Sequence, residues 1–453
     1  MPAIRASRRI TVISASVGAG HDGAAAELTR RLEAAGFAVD RYDFVDLLPY
    51  GLGRLLSGAY HRLLVLAPSL YQWIYAAMGR TGRPGLVLRL LLRRAERRTA
   101  LTVTPATSAV VATYPAAGQV LGALRERGAL EVPAITYLTD FSVHPLWVAP
   151  GVDVHLAAHD VPAGEARALG ARGVHVAGPV AGPAFGPVDE SERRAIRERF
   201  ALPSDSVLAL LVAGSWGVGQ VRRAASEIRD GGTAVPVVVC GTNAALLRRL
   251  RAEGFAHVRG WEPDMGALMR ACDVLVQNAG GMTSLEAFAT GLPVLSYRCI
   301  PGHGRTNAAA LEAAGLAPWV RDDDELDTAI VELTTGARGE RQRATGLALF
   351  PPGAGPAGAI ATAAGGAEAP RVPRPARVPA VAPSGHAATV TRTARVTRAA
   401  AQVRRPRPTF VAATGLALTL ALGIGAPLAN AAGASVPVRL TTAAHRFLED
   451  HAW

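Results

Sequence analysis

The stretch Asn278-Ala279-Gly280-Gly281-Met282-Thr283-Ser284-Leu285-Glu286, between the apolar run Val274-Leu275-Val276 and the turn Gly291-Leu292-Pro293, reads as strand, glycine turn and helix start. Glycines carry no Cβ, so backbone N–H groups there can close on a ligand, and a helix opening near Thr283 turns its positive end to the same point. A phosphate or diphosphate suits that end. One turn further on, the carboxylate of Glu286 suits the hydroxyls of a ribose, so the pattern points to a nucleotide diphosphate. Thr283 and Glu286 equally fit the capping box S/T-x-x-E, in which they would satisfy only the helix's own backbone donors.

Working outward, the apolar run 10–13, the loop 14–23 and the apolar-periodic stretch 24–35 predict a strand–loop–helix opening, and 208–212, 214–219 and 221–228 repeat it. Further buried strands are predicted at 109–112, 134–138 and 152–157, then at 235–240, 274–276 and 294–297. Strands alternating with helices imply parallel sheets covered on both faces. The expected fold class is therefore α/β, with two Rossmann-like domains facing a cleft: residues 1–182 and 183–350, hinged at Ala177-Gly178-Pro179-Val180-Ala181-Gly182-Pro183.

Beyond these domains, residues 351–409 are dominated by Ala, Pro, Gly and Arg with Glu368 as the lone acid, and are expected to be a disordered basic linker. Residues 410–429 carry no charge and are long enough to cross a bilayer as an apolar helix. Arg404, Arg405 and Arg407 precede them, which puts the long N-terminal part on the cytoplasmic side and a short tail, 430–453, outside. A signal-like segment ending at Ala429-Asn430-Ala431 is the alternative.

All 48 basic residues are arginines. A phosphate-binding loop that needs lysine, a Schiff-base lysine and a lysine general base are thereby excluded. The formal charge of +12 implies an anionic partner. Aromatic residues make up only 5% and are not interleaved with arginine, which favours an anionic membrane surface over nucleic acid. Cys240, Cys272 and Cys299 show neither disulfide nor zinc spacing. Residues 50–98 combine Leu, Tyr and Trp, including Tyr71 and Trp73, with many arginines, and read as a lipid-facing segment or as helices closing the first domain's core.

Two further loops carry chemistry. Gly18-Ala19-Gly20-His21-Asp22-Gly23 places His21 at the start of the first helix, where the dipole favours a neutral imidazole fit for a general base. Asp22 and Asp140 are the carboxylates available to orient His21 or to replace it. Gly214-Ser215-Trp216-Gly217-Val218-Gly219, Trp261-Glu262-Pro263-Asp264-Met265 and Pro301-Gly302-His303-Gly304-Arg305-Thr306-Asn307 all follow strands, on the edge where open α/β sheets bind ligands.

As a set, Gly18, Gly20 and His21, then Thr139-Asp140 with His144 and Trp147, then Trp261, Met265, Gly280, Gly281, Thr283, Glu286, His303 and Asn307, resemble the GT-B glycosyltransferases related to monogalactosyldiacylglycerol synthases and processive diacylglycerol glucosyltransferases. The lipid I N-acetylglucosaminyltransferase of peptidoglycan synthesis is a more distant relative. The resemblance implies an inverting hexosyltransferase that moves sugar from a UDP-sugar to a lipid hydroxyl, with diacylglycerol favoured, at the cytoplasmic face of the membrane and without metal or cofactor. By it, His21 is the base, while Gly214, Ser215, Trp261, Glu262, Met265, Gly280, Gly281, Thr283, Glu286, His303 and Asn307 hold the donor. Gly18, Gly20, His144, Trp147, Tyr71 and Trp73 are assigned to acceptor or membrane. Relatives carry Gln or Glu where this chain has His303 and Gly304, so the hexose is not inherited. The alternatives are a UDP-sugar epimerase of the same fold and a catalytically silent lipid- or nucleotide-binding membrane protein.

Overall fold

The computed structural model describes residues 8–81, 86–351, 353 and 355–365. All fall within the first of two units, Met1–Val372 and Pro373–Trp453. The expected linker beyond residue 365, the apolar run 410–429 and the tail lie outside the described residues, and among the described residues no helix is long and apolar enough to cross a membrane.

Two all-parallel sheets organise the unit. The first has the order β2-β1-β3-β4-β5-β6, from β1 (Arg9–Ser14), β2 (Ala38–Asp43), β3 (Thr107–Ala112), β4 (Ala134–Tyr137), β5 (Val154–Ala157) and β6 (Val174–Val176). The second has the order β11-β10-β7-β8-β9, from β7 (Leu208–Val212), β8 (Val235–Val239), β9 (His257–Arg259), β10 (Val274–Gln277) and β11 (Val294–Ser296). Apolar runs form the central strands because helices cover both faces; Ile10, Ile13, Val110, Leu210 and Leu275 are all fully buried. Each such side chain contributes about 1.5–3 kcal/mol relative to exposure.

Three of the four edge strands, β2, β6 and β9, have no such run; the fourth, β11, is buried. Ala38-Val39-Asp40-Arg41-Tyr42-Asp43 alternates charge with partly covered side chains, a composition that discourages further pairing at an open edge. In each sheet the strand order reverses once, between β1 and β3 and between β7 and β10. Ligand crevices of open α/β sheets form outside the carboxyl ends of such strands.

Two expectations are corrected. The first helix spans Ala19–Ala34, so Gly20, His21, Asp22 and Gly23 form its opening turns rather than a loop; Asp22 suits a first turn and the following alanines sustain the helix. Residues 355–365, expected to be disordered, form the helix Gly355–Gly365, which packs against β3, β5 and the Ala19–Ala34 helix. Ile360 and Ala357 are buried there in the same apolar cluster as Leu28, Leu208 and Phe288, so one core joins both lobes.

Candidate active site

At the first switch point, β1 leads through Ser14 and Ser16 into the Ala19–Ala34 helix, and β3 ends at Thr113 and Tyr114. His21 Nδ1 lies 2.9 Å from the Thr113 carbonyl and 2.9 Å from Thr139 Oγ1. A carbonyl only accepts, so Nδ1 carries the proton and Nε2 keeps its lone pair. The Tyr114 ring meets the imidazole edge-on at 5.2 Å. Burial lowers the His21 pKa below its ordinary value, against the raising influence of Asp140, the Thr113 carbonyl and Asp22. The ring is therefore neutral at pH 7.

Asp22 does not orient His21. Its carboxylate accepts from Ser14 Oγ at 2.6 Å and Ser16 Oγ at 2.8 Å, which fixes the loop after β1 instead. Asp140, just beyond β4, accepts from Trp147 Nε1 at 3.0 Å and from Asn307 Nδ2 at 3.4 Å. Trp147 is 1% exposed, and its Nε1 holds Asp140. His144 is likewise tied down, with Nδ1 accepting from Leu146 N–H, Nε2 3.2 Å from the Tyr75 carbonyl and its ring on Tyr75 at 4.4 Å. The Trp147 ring also lies beside the His21 imidazole, with centroids 6.0 Å apart.

Across the cleft, β10 runs into Asn278-Ala279-Gly280-Gly281 and the helix Met282–Thr290. Gly280 has φ 74°, and a Cβ there would meet Asn307 Cβ at 2.8 Å. Gly281 is the N-cap and no side chain caps this helix, so the capping-box alternative does not form: Thr283 and Glu286 both lie inside the helix. Glu286 is partly exposed, its carboxyl makes no hydrogen bond to another described residue, and burial pushes its pKa up to about 7. A carboxyl without an internal partner, beside an uncapped helix start, suits a polar ligand.

The two lobes meet at these points. A Cβ on Gly20 would lie 3.2 Å from Met282 Cγ, and one on Gly281 would lie 3.8 Å from Asp140 Oδ1. Asn307, fully buried, accepts from Ser142 N–H at 2.8 Å and donates to the Ala279 carbonyl at 3.0 Å. It acts as a bridge between lobes, which the sequence did not reveal. His303 opens the helix His303–Ala313, and its Nδ1 lies 3.0 Å from the hydroxyl of Tyr71. Burial lowers the His303 pKa, offset by Asp140 and reinforced by His21, so all three groups share one electrostatic site.

Tyr71 is 6% exposed and lies against His303 in the cleft, so of its two expected roles only the membrane one is corrected. Trp73, two residues on, is 42% exposed and joins Tyr50, Leu55, Val65, Leu66 and Leu90 as large apolar side chains open to solvent. Residues 50–98 thus follow the second alternative, helices Leu52–Leu66, Pro68–Thr81 and Leu86–Ala100 closing the first lobe, while some of their apolar groups stay open to solvent.

The remaining donor-side residues ring the same edge. Gly214 (φ 65°) and Ser215 follow β7, and the Ser215 carbonyl accepts from Thr242 N–H at 2.8 Å. Asn278 Nδ2 donates to the Val218 carbonyl at 2.9 Å, stitching the loops after β7 and β10 together. Trp261 is 58% exposed beyond β9. Glu262 accepts from Asp264 N–H at 3.0 Å, just before Met265 opens the helix Met265–Ala271. Trp216, which carried no sequence signal as a contact, packs its ring 4.9 Å from His61 and 5.8 Å from Tyr60. No group of three or more metal-ligating side chains occurs among the described residues.

Comparison with known proteins agrees with this architecture. A family model described as monogalactosyldiacylglycerol (MGDG) synthase matches residues 21–178, a span that opens on His21 and includes Asp140. A processive diacylglycerol beta-glucosyltransferase of Bacillus mycoides is 29% identical over 224 residues, covering 45% of this chain and 54% of that protein. Its namesake from Bacillus subtilis is 28% identical over 232 residues, covering 49% and 60%. The chain thus spans a little over half the length of these curated relatives. The solved structure of Medicago truncatula UGT71G1 complexed with UDP-glucose matches with a TM-score of 0.52 at 14% identity, covering 81% of this chain and 100% of that one. The fold is GT-B, and the resemblance seen in the sequence is borne out.

Proposed function

We propose that this GT-B chain, similar to monogalactosyldiacylglycerol synthases, is an inverting glycosyltransferase that moves a hexose from a UDP-sugar to a membrane lipid hydroxyl, diacylglycerol being the favoured acceptor. The observation that carries this is the meeting, in one crevice, of a neutral imidazole with a free Nε2 and an uncapped, glycine-opened helix start. The curated relatives are named for transfer to diacylglycerol, and the solved neighbour holds UDP-glucose.

The chemistry follows from the groups present. His21 Nε2 takes the acceptor hydroxyl proton as its oxygen bonds to the anomeric carbon; the bond from that carbon to the β-phosphate oxygen breaks, and its electron pair leaves with UDP. Asp140 stabilises the imidazolium so formed. The N-terminus of the Met282–Thr290 helix meets the developing charge on the diphosphate, which is work a metal ion does elsewhere. Glu286 receives the ribose hydroxyls. The exposed Leu55, Val65, Leu66, Trp73 and Leu90, among arginines such as Arg54, Arg62 and Arg89, bring the chain to an anionic membrane surface.

Incubation with a panel of UDP-sugars and diacylglycerol vesicles, read by mass spectrometry, tests this. A new glycolipid that forms equally well with EDTA is expected. A sugar epimerised without transfer would replace this proposal with an epimerase.

A further inference from the structure

The helix Pro68–Thr81 belongs to the N-terminal lobe, yet it turns three consecutive contacts onto the start of the C-terminal lobe's His303–Ala313 helix. Gln72 Oε1 accepts from Gly302 N–H at 2.6 Å, the Tyr71 hydroxyl lies 3.0 Å from His303 Nδ1, and the Tyr75 hydroxyl lies 3.3 Å from Thr306 Oγ1. The Tyr71 ring covers Gly302 so closely that a Cβ there would fall 2.6 Å from its Cε1. Only glycine, which also accepts φ 71° at this point, leaves room for that ring.

His303 stands at a helix N-terminus, in electrostatic contact with both Asp140 and His21, hence on the wall that faces the reacting centre. Its Nδ1 is taken by Tyr71, which leaves Nε2 as its one ring nitrogen with hydrogen-bonding capacity to spare. We propose that Tyr71 is a positioning residue for sugar recognition: its hydroxyl fixes the ring of His303, so that Nε2 reads a hydroxyl of the transferred hexose. This rests on the transferase reading above. The donor subsite is then completed by a side chain from the opposite lobe, so hexose selectivity depends on the lobes being together while hold on the UDP moiety does not.

Tyr71→Phe removes only the hydroxyl and keeps the ring on Gly302. The expected result is a KM for the UDP-hexose raised roughly five- to tenfold, the loss of one neutral hydrogen bond. Discrimination between two UDP-hexoses falls with it, and affinity for UDP alone stays within about twofold. Combining Tyr71→Phe with His303→Ala is expected to add nothing beyond His303→Ala. Unchanged KM and selectivity in Tyr71→Phe, with wild-type transfer intact, overturns the assignment; so does an equal loss of UDP affinity, which marks a merely structural role. A wild-type chain that binds no UDP would instead remove the transferase reading itself, and this inference with it.

Discussion

The Thr113 carbonyl lies 2.9 Å from His21 Nδ1, and this one contact decides which nitrogen of the ring is basic. His21→Ala should lower kcat by a factor of about 10²–10⁴, the range for losing a general base, with little change in donor affinity. Because burial holds the His21 pKa below 6.5, the acid limb of kcat, taken at saturating donor so that the ionisation of Glu286 does not enter, should fall below pH 6.5. Steady-state rates from pH 5 to 8 check both; an acid limb centred above pH 7 would point to another base.

Glu286 predicts a second pH dependence. Its pKa is raised to about 7 by burial, and ribose hydroxyls donate best to the ionised form. Donor binding should therefore tighten as pH rises from 6 to 8 and release protons. A UDP-hexose is the proper probe, since its phosphates do not titrate in that interval. Calorimetry in two buffers of different ionisation enthalpy would detect the protons. In Glu286→Gln the affinity should be weaker and level across the same interval.

Asn307 sits fully buried between Ser142, Ala279 and Asp140. Asn307→Asp keeps the shape but sets a carboxylate against the Ala279 carbonyl and against Asp140. Two carboxyls so close raise each other's pKa in the folded state, so the folded form binds more protons and stability falls as pH rises. Urea unfolding at pH 5 and pH 8 should show a larger deficit at pH 8 relative to wild type. An equal deficit at both would mean that the site tolerates the second charge.

Leu66 is 75% exposed and Trp73 is 42% exposed on neighbouring helices of the first lobe. Leu66→Asp with Trp73→Ser should reduce sedimentation with anionic vesicles several-fold while leaving UDP affinity unchanged, because neither side chain touches the cleft. Vesicle binding that persists in this variant would move the membrane contact elsewhere.

How much of this was legible in the sequence depended on burial. Central strands such as β1, β3, β7 and β10 are covered on both faces and announce themselves as apolar runs, and the segments at their carboxyl ends carry His21, Gly214, Gly280 and Gly281. Of the four edge strands, β2, β6 and β9 were missed because they carry no continuous apolar run, whereas the buried edge β11 does. Long-range partners were beyond reach altogether. Nothing in local spacing shows that Trp147 serves Asp140, that Asn307 bridges Ser142 to Ala279, or that Tyr71 reaches His303 across 232 positions. Asp22, one of the two carboxylates that the sequence offered to His21, is its neighbour in the chain, but its carboxylate accepts from the serines at 14 and 16 instead.

The Gly355–Gly365 helix shows where composition misleads. Its Ala, Gly and Pro content matches the linker that follows, yet Ile360 is 0% exposed against the first sheet and the Ala19–Ala34 helix. Small residues do not signal a core, but they let a helix approach a sheet closely, and one branched side chain then fills the gap. Ile360→Ala should cost about 2–5 kcal/mol, the usual range for emptying a packed aliphatic site. The exposed Val331→Ala, at 46% exposure, should cost less than about 0.5 kcal/mol. Because this helix touches the one that carries His21, Ile360→Ala should also lower the midpoint for loss of transfer activity in urea. Identical unfolding midpoints for Ile360→Ala and wild type would mean that this helix adds nothing to the core it covers.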